Sequence, residues 1–233
     1  MKILITTATY GNDICYVKDV FKSTQHKCDF IKFNSENFPF NQVADSRLKS
    51  KYPKMRPFDY YPGYDWYFWF DSKFVFKKNF DFDSFLKNID LANNHLVLCK
   101  HPHRSSIFEE VAFMNNEINK KNQYLVKRYD MKCINKQARQ YMSDKKFIDD
   151  RLFAMGFFGF HRSAYKLMTE WFNHNERFSL QDQISFPYVL SKYNLMYKVL
   201  DINILKNNFF EHISSLKRNP FSFFKFLVLR IFN

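Results

Sequence analysis

The sequence predicts an α/β fold with a mostly parallel central sheet flanked by helices. Three observations carry that prediction. Short apolar runs recur at residues 2–7, 28–33, 66–70 and 96–99, each closed by turn-forming or polar residues, as strands are. The first two flank residues 14–22, which look like a short helix, and strand–helix–strand in that order favours a right-handed crossover between parallel strands. Trp66-Tyr67-Phe68-Trp69-Phe70 is apolar at every position, the mark of a central strand covered on both faces.

The remaining elements follow in order. Residues 39–65 hold Pro39, Pro53, Pro57 and Pro62 and read as irregular, with a basic run of Arg47, Lys49, Lys51, Lys54 and Arg56. Residues 82–93 read as a helix started by an Asp81 or Asp83 cap. A long polar helix is expected over about 106–128, a strand-like Phe/Gly run over 152–160, and an amphipathic helix over 163–173. A further helix over 181–193 is bent at Pro187, and 196–200 forms a last strand. No internal repeat or linker interrupts this order. It divides into a domain over residues 1–218 and a basic, aromatic tail over 219–233.

Composition bounds the function. The 233 residues suffice for one large domain, and 46% hydrophobic with 20% aromatic residues excludes a disordered chain. A formal net charge of +13 favours phosphate-bearing partners without choosing among them. Cys15, Cys28, Cys99 and Cys133 form no CxxC pair, so they read as reduced structural thiols. The apolar run at the start is too short for a signal-peptide core, and no run approaches the roughly 20 apolar residues of a spanning helix. The expected location is the cytoplasm.

Ligands of open α/β sheets bind beyond the carboxyl ends of the strands. The first strand ends at Thr7 and Ala8, followed by Tyr10, Gly11 and Asp13; the second ends at Asn34; the central one ends at Asp71; the next leads into His101 and Arg104. Tyr10, Gly11, Asp13, Asn34 and Asp71 are therefore expected to line one cleft. Asp71 is the sharpest point. It either holds a cation or ribose hydroxyl from a rigid strand, or simply ends that strand in a turn.

Taken in order, Thr7-Ala8-Thr9-Tyr10-Gly11-Asn12-Asp13, Asp29-Phe30-Ile31-Lys32-Phe33, Trp69-Phe70-Asp71-Ser72, His101-Pro102-His103-Arg104 with Glu110, and Gln181-Asp182-Gln183 form a pattern over roughly residues 2–201. This pattern resembles the glycosyltransferase-like domain shared by plant mucilage-related proteins and bacterial polysaccharide-cluster proteins. The resemblance implies a GT-A-like nucleotide-diphospho-sugar transferase fold, a nucleotide-sugar donor, and a divalent metal, Mn or Mg, at a DxD-type motif. Here that motif reads Asp71-Ser72-Lys73, and an ammonium cannot ligate a metal. Either Asp71 binds the ion with Ser72, His212 or water, or Lys73 itself neutralises the diphosphate, or Lys73 begins the next strand and points away.

The resemblance also implies roles for other residues. Arg47, Lys51 and Lys54 are candidates to clamp the donor diphosphate, the alternative being a solvated basic loop. His101 and Arg104 are candidates for hydrogen bonds to the donor, the alternative being a structural role, and the Asp182-Gln183 pair resembles pairs that face the transferred sugar or the acceptor. Asp182 is the first candidate for the carboxylate that orients or deprotonates the acceptor hydroxyl, and Glu110 the second; each also suits the first turn of a helix. The acceptor is expected to be a glycan or lipid-linked. The tail, with Lys225 and Arg230 among Phe and Leu, suits an anionic membrane surface or a docked helix. Two rival readings are a nucleic-acid-binding protein and an inactive GT-A relative. The first is disfavoured because the aromatics fall in core-like runs and no nucleic-acid motif occurs, so no nucleic-acid partner is expected.

Overall fold

Alternation along one strand organises the core. In the computed structural model, which describes residues 1–10, 14–37 and 46–217, strand β3 (Trp66–Phe70) is buried at all five positions. Successive side chains leave a strand on opposite faces. Trp66, Phe68 and Phe70 therefore join one core with Ile3, Ile5, Phe82, Phe85 and Phe157. Tyr67 and Trp69 join the other with Leu4, Phe158, Phe160, Leu167 and Trp171. A third cluster, around Ile107, Ile134 and Tyr141, fills a helical region to one side.

The central sheet has six strands. They are β1 (Lys2–Ala8), β2 (Lys27–Phe33), β3, β5 (Leu96–Cys99), β6 (Phe157–His161) and β7 (Tyr197–Leu200), in the order β2-β1-β3-β6-β5-β7. The pairs β1–β2, β1–β3 and β5–β7 are parallel, and β6 alone runs against its neighbours β3 and β5. The sheet is thus mostly parallel, as expected, and its parallel strands deliver their carboxyl ends to one edge. Gly159 of β6 lies opposite Phe68, where a Cβ would stand 2.4 Å from the Phe68 ring. A small two-stranded sheet of β4 (Phe74–Phe76) and β8 (Phe210–His212) is not foreseen by the sequence; it is antiparallel and pairs Phe74 with His212, which brings the late histidine back beside the end of β3.

Several expected elements differ. Residues 14–22 form no helix: Tyr16 N–H donates to Ser72 O at 2.7 Å, and Phe21 packs against Phe30, Phe70, Phe76 and Phe82. Contacts with the sheet override a weak local helix preference in a segment holding Ile14, Val17 and Val20. Conversely, the stretch read as irregular contains helix α1 (Ser46–Met55), with Pro53 inside it. Tertiary anchoring through buried Met55 and Lys54 outweighs the missing proline N–H. Helix α2 (Phe82–Lys87) starts at the Asp81 cap, whose side chain accepts from Asp83 N–H, but it ends well before residue 93.

The expected long helix is two. Helix α3 (Ile107–Asn119) stops, Lys121 takes φ 59°, and α4 (Gln123–Val126) restarts under an Asn122 cap. The unforeseen α5 (Met131–Met142) packs on α3 through Ile134, Ala138 and Tyr141. Helices α6 (Tyr165–Arg177) and α7 (Asp182–Leu190, with Pro187 inside) lie near their expected positions, and α8 (Ile213–Lys217) follows β8. Gly11, Asp13 and the tail over 219–233 lie outside the described residues, as does the side chain of Arg47. No helix among the described residues is long and apolar enough to cross a membrane.

Candidate active site

A cavity of about 520 Å³ opens at the carboxyl edge of β1 and β3. Ala8 and Tyr10 reach it from β1, Asp71 and Lys73 from the end of β3, Lys51 and Lys54 from α1, and Asp182 and Gln183 from the start of α7. The strands and the turns that close them set the first four, and two helices set the other four. Lys51 and Lys54 are three apart on α1 and so share a face.

The charges are tightly arranged. Asp182, only 7% exposed, takes Lys51 Nζ at 2.5 Å and Lys54 Nζ at 2.7 Å on its Oδ2. Lys54 Nζ also stands 3.6 Å from Asp71 Oδ1, which accepts a 2.7 Å hydrogen bond from Trp69 Nε1. Two acids and two ammonium groups thus alternate as Asp71–Lys54–Asp182–Lys51. Burial alone would raise the Asp182 carboxyl, but the two lysines outweigh it and hold the group well below the usual carboxylate range. For Lys54, burial works to lower the ammonium, and Asp182 and Asp71 more than reverse it. For Lys51 burial wins over Asp182, and its ammonium sits below the ordinary lysine value.

This set differs from a structural ion pair in one respect: it opens onto solvent at Asp71. The Asp71 side chain is 42% exposed, and its Oδ2 faces Gly156, where a Cβ would come within 3.3 Å. Asp71 N–H donates to Gly156 O at 2.8 Å, so β3 and β6 fix its backbone. A rigid, open carboxylate accepts hydrogen bonds from a polar ligand, while Lys73 and Arg128 on the lining of the same cavity carry positive charge toward an anionic part of it.

A profile of the TOD1/MUCI70 glycosyltransferase-like domain matches residues 31–219. The chain belongs to that family. No curated protein sequence matches it. Among solved structures it is similar to a glycosyltransferase involved in the glycosylation of the major capsid of PBCV-1, at 11% identity and a TM-score of 0.39, with 74% of this chain and 66% of that chain covered. The chain therefore spans just under two thirds of that structure.

In this TOD1/MUCI70 domain the remaining candidates fall into two groups. His212 reaches the cavity from β8. Its Nδ1 accepts from Ser214 N–H at 3.2 Å and lies 2.7 Å from Ser214 Oγ. Burial lowers the imidazole below its ordinary value, with Asp71 opposing and Lys73 adding to the fall. With Nδ1 turned to Ser214, Nε2 is the ring nitrogen left for the cavity, and in the tautomer whose Nδ1 accepts the Ser214 N–H it is a donor. Among the described residues no group of three His, Cys, Asp or Glu side chains is placed to hold an ion. In that tautomer Asp71 and His212 do not by themselves make a site for a divalent cation. The geometry offers instead ammonium groups and an imidazole N–H.

The second group stands behind the cavity wall. Glu110, 2% exposed, ion-pairs with Arg104 Nε and accepts from Gln181 Nε2 at 2.8 Å. His101 Nδ1 accepts from Arg104 N–H at 3.0 Å, and burial, then Arg104 and His103, push the ring down to about 4. None of these three lines the cavity; their effect reaches it through Gln181, which does. Asn34 closes its own turn, its Oδ1 accepting from Glu36 and Asn37 N–H, and Thr7 is buried within β1. Neither lines the cavity.

Sequence reasoning missed Trp69, Gly156, Tyr124, Arg128 and Tyr129, all of them lining residues. Trp69 was read as core, which it is, and nothing in the pattern exposes its indole N–H. Gly156 carried a signal, since glycines number only 4 in the chain.

Proposed function

We propose that the domain transfers a sugar from a nucleotide-sugar donor to a glycan or lipid-linked acceptor, in surface polysaccharide synthesis at the cytoplasmic face of a membrane. The observation that carries the reading is the cavity at the strand ends, where the Asp71–Lys54–Asp182–Lys51 chain meets Lys73 and His212. Asp71 orients the donor, accepting from a ribose or sugar hydroxyl. Lys54 and Lys73, with the His212 N–H, face the diphosphate, whose charge grows as its bond to the anomeric carbon breaks. Positioned cations at that point stabilise the transition state more than the ground state.

The acceptor hydroxyl forms the new bond to the anomeric carbon and gives up its proton to solvent or to the departing diphosphate. A carboxylate held as low as Asp182 is a weak proton acceptor, so Asp182 serves by orienting Lys51, Lys54 and the acceptor. Glu110, engaged on both oxygens, serves by holding Gln181.

A binding screen of nucleoside diphosphates and nucleotide sugars, with and without manganese, tests this. The expected result is micromolar binding of at least one nucleotide, weakened by Lys73→Met. Binding of none under either condition would defeat the proposal. Binding seen only with manganese would place the charge neutralisation on an ion rather than on the lysines.

A further inference from the structure

We propose that α4 and the turn after it form the acceptor subsite, and that its ligand is a saccharide ring laid on Tyr124. The inference rests on the transferase reading above and names the chemistry of its second substrate.

Tyr124 belongs to none of the three buried clusters. Helix α4 is one turn long with no buried residue, and Tyr124 itself is 62% exposed. Yet its position is tightly specified. The chain reverses at Lys121, φ 59°, and Asn122 then caps α4 by accepting from Tyr124 N–H at 3.2 Å. Glu117 in α3 holds that cap through Asn122 Nδ2 at 3.1 Å. The Arg128 guanidinium lies 4.8 Å from the Tyr124 ring centre, within cation–π range. An exposed aromatic ring on the lining of a cavity, its backbone fixed by the cap and one guanidinium against it, is a platform.

The neighbours complete a polar binding set. Tyr129 O–H donates to Gln181 Oε1 at 3.4 Å, and Gln181 Nε2 donates to Gln183 Oε1 at 3.2 Å. Burial, with Asp182 nearby, pushes the Tyr129 phenol up to about 12, so it remains a donor at neutral pH. Tyr124, Arg128, Tyr129, Gln181 and Gln183 line the same cavity as Asp71 and Asp182. They occupy the helical side of it, across from the strand ends.

A sugar ring presents a face of C–H bonds and a rim of hydroxyls. The C–H face suits the electron-rich face of an aromatic ring, and the hydroxyls need side-chain donors and acceptors of the kind Arg128, Gln181 and Gln183 carry. A lipid chain would need an unbroken apolar trough, which this mixture of guanidinium and amides does not make. The acceptor group presented to the anomeric carbon is therefore a sugar hydroxyl, whatever the sugar is attached to.

The test uses the full chain and two probes: UDP, GDP, CDP and ADP by titration calorimetry, and an array of oligosaccharides. Wild-type protein is expected to bind one nucleoside diphosphate and, with that nucleotide present, to retain a subset of the arrayed glycans. Tyr124→Ala is expected to cut glycan retention at least fivefold with nucleotide affinity unchanged, and Tyr124→Phe, which keeps the ring, to preserve both. Equal retention by Tyr124→Ala, or retention of no glycan by a protein that binds nucleotide, would overturn the subsite and leave the transferase reading standing. Failure to bind any nucleotide would remove both.

Discussion

Asp182 and Glu110 are both buried carboxylates held by cations, and the contrast between them separates a cavity-lining acid from one behind the wall. Asp182 lines the cavity and faces two ammonium groups, one of which also contacts the open Asp71. Glu110 stands a layer deeper, and both of its oxygens are committed to Arg104 and Gln181. A buried, cation-held carboxylate is thus connected to the ligand space in one case and insulated from it in the other. Burial and ion pairing do not by themselves mark a catalytic acid; what the partner touches next decides.

The largest expected effect lies at the open end of the Asp182 chain. Asp71→Ala should lower turnover by about 100-fold or more, the usual scale for removing one well-placed electrostatic group. Its melting temperature should shift little, because the side chain is 42% exposed. A collapse in stability instead would class Asp71 with Glu110. Asp182→Asn should then cost both activity and stability, since Lys51 and Lys54 lose their shared counter-charge; breaking a buried pair from one side costs about 3–5 kcal/mol. Denaturant unfolding measures it, and an unchanged midpoint would mean the lysines find other partners.

Glu110→Gln sharpens the comparison from the other side. It keeps the shape but removes the charge facing Arg104, so a loss of about 2 kcal/mol is expected, with a smaller fall in turnover. If turnover falls as far as for Asp71→Ala, Glu110 belongs to the chemistry after all. A milder effect is expected with pH. His101 next to Arg104 has a folded-state value near 4 against an ordinary 6.5, so between these the unfolded chain binds the more protons. Stability should therefore fall as pH drops from about 6.5 to about 4. His101→Gln should flatten part of that slope; an unaltered slope would assign it to other histidines. The smallest effect is expected for Gly156→Ala, whose new methyl meets Asp71 Oδ2 and the Phe74 ring at 3.3 Å. A modest fall in donor affinity with folding intact is the expected result.

Much of this geometry could be read from the chain. The unbroken run of residues 66–70 gave the central strand, and the polar residue that closes it gave Asp71. The Gln181-Asp182-Gln183 triplet gave the start of α7. The misses have physical causes. Helix α1 is hidden by Pro53 because what holds it is Asp182, 128 residues further on. The helix expected over 14–22 fails because Phe21 is worth more to the core than the local turns are to themselves. The pairing of β4 with β8 is long-range and only three residues deep, below what periodicity detects. Local pattern located the carboxylates, but only tertiary structure showed which of them shares its cations with the cavity.

On the proposed reading, the strand-end cavity transfers a sugar from a nucleotide sugar with Asp71 as its open anchor. The most direct measurement is release of nucleoside diphosphate from a panel of nucleotide sugars, by wild-type protein and by Asp71→Ala at matched folded concentration. The account predicts release by the wild type from at least one donor, reduced by about 100-fold in the variant. Equal release by both proteins, or none by a wild type supplied with the full panel, would contradict it.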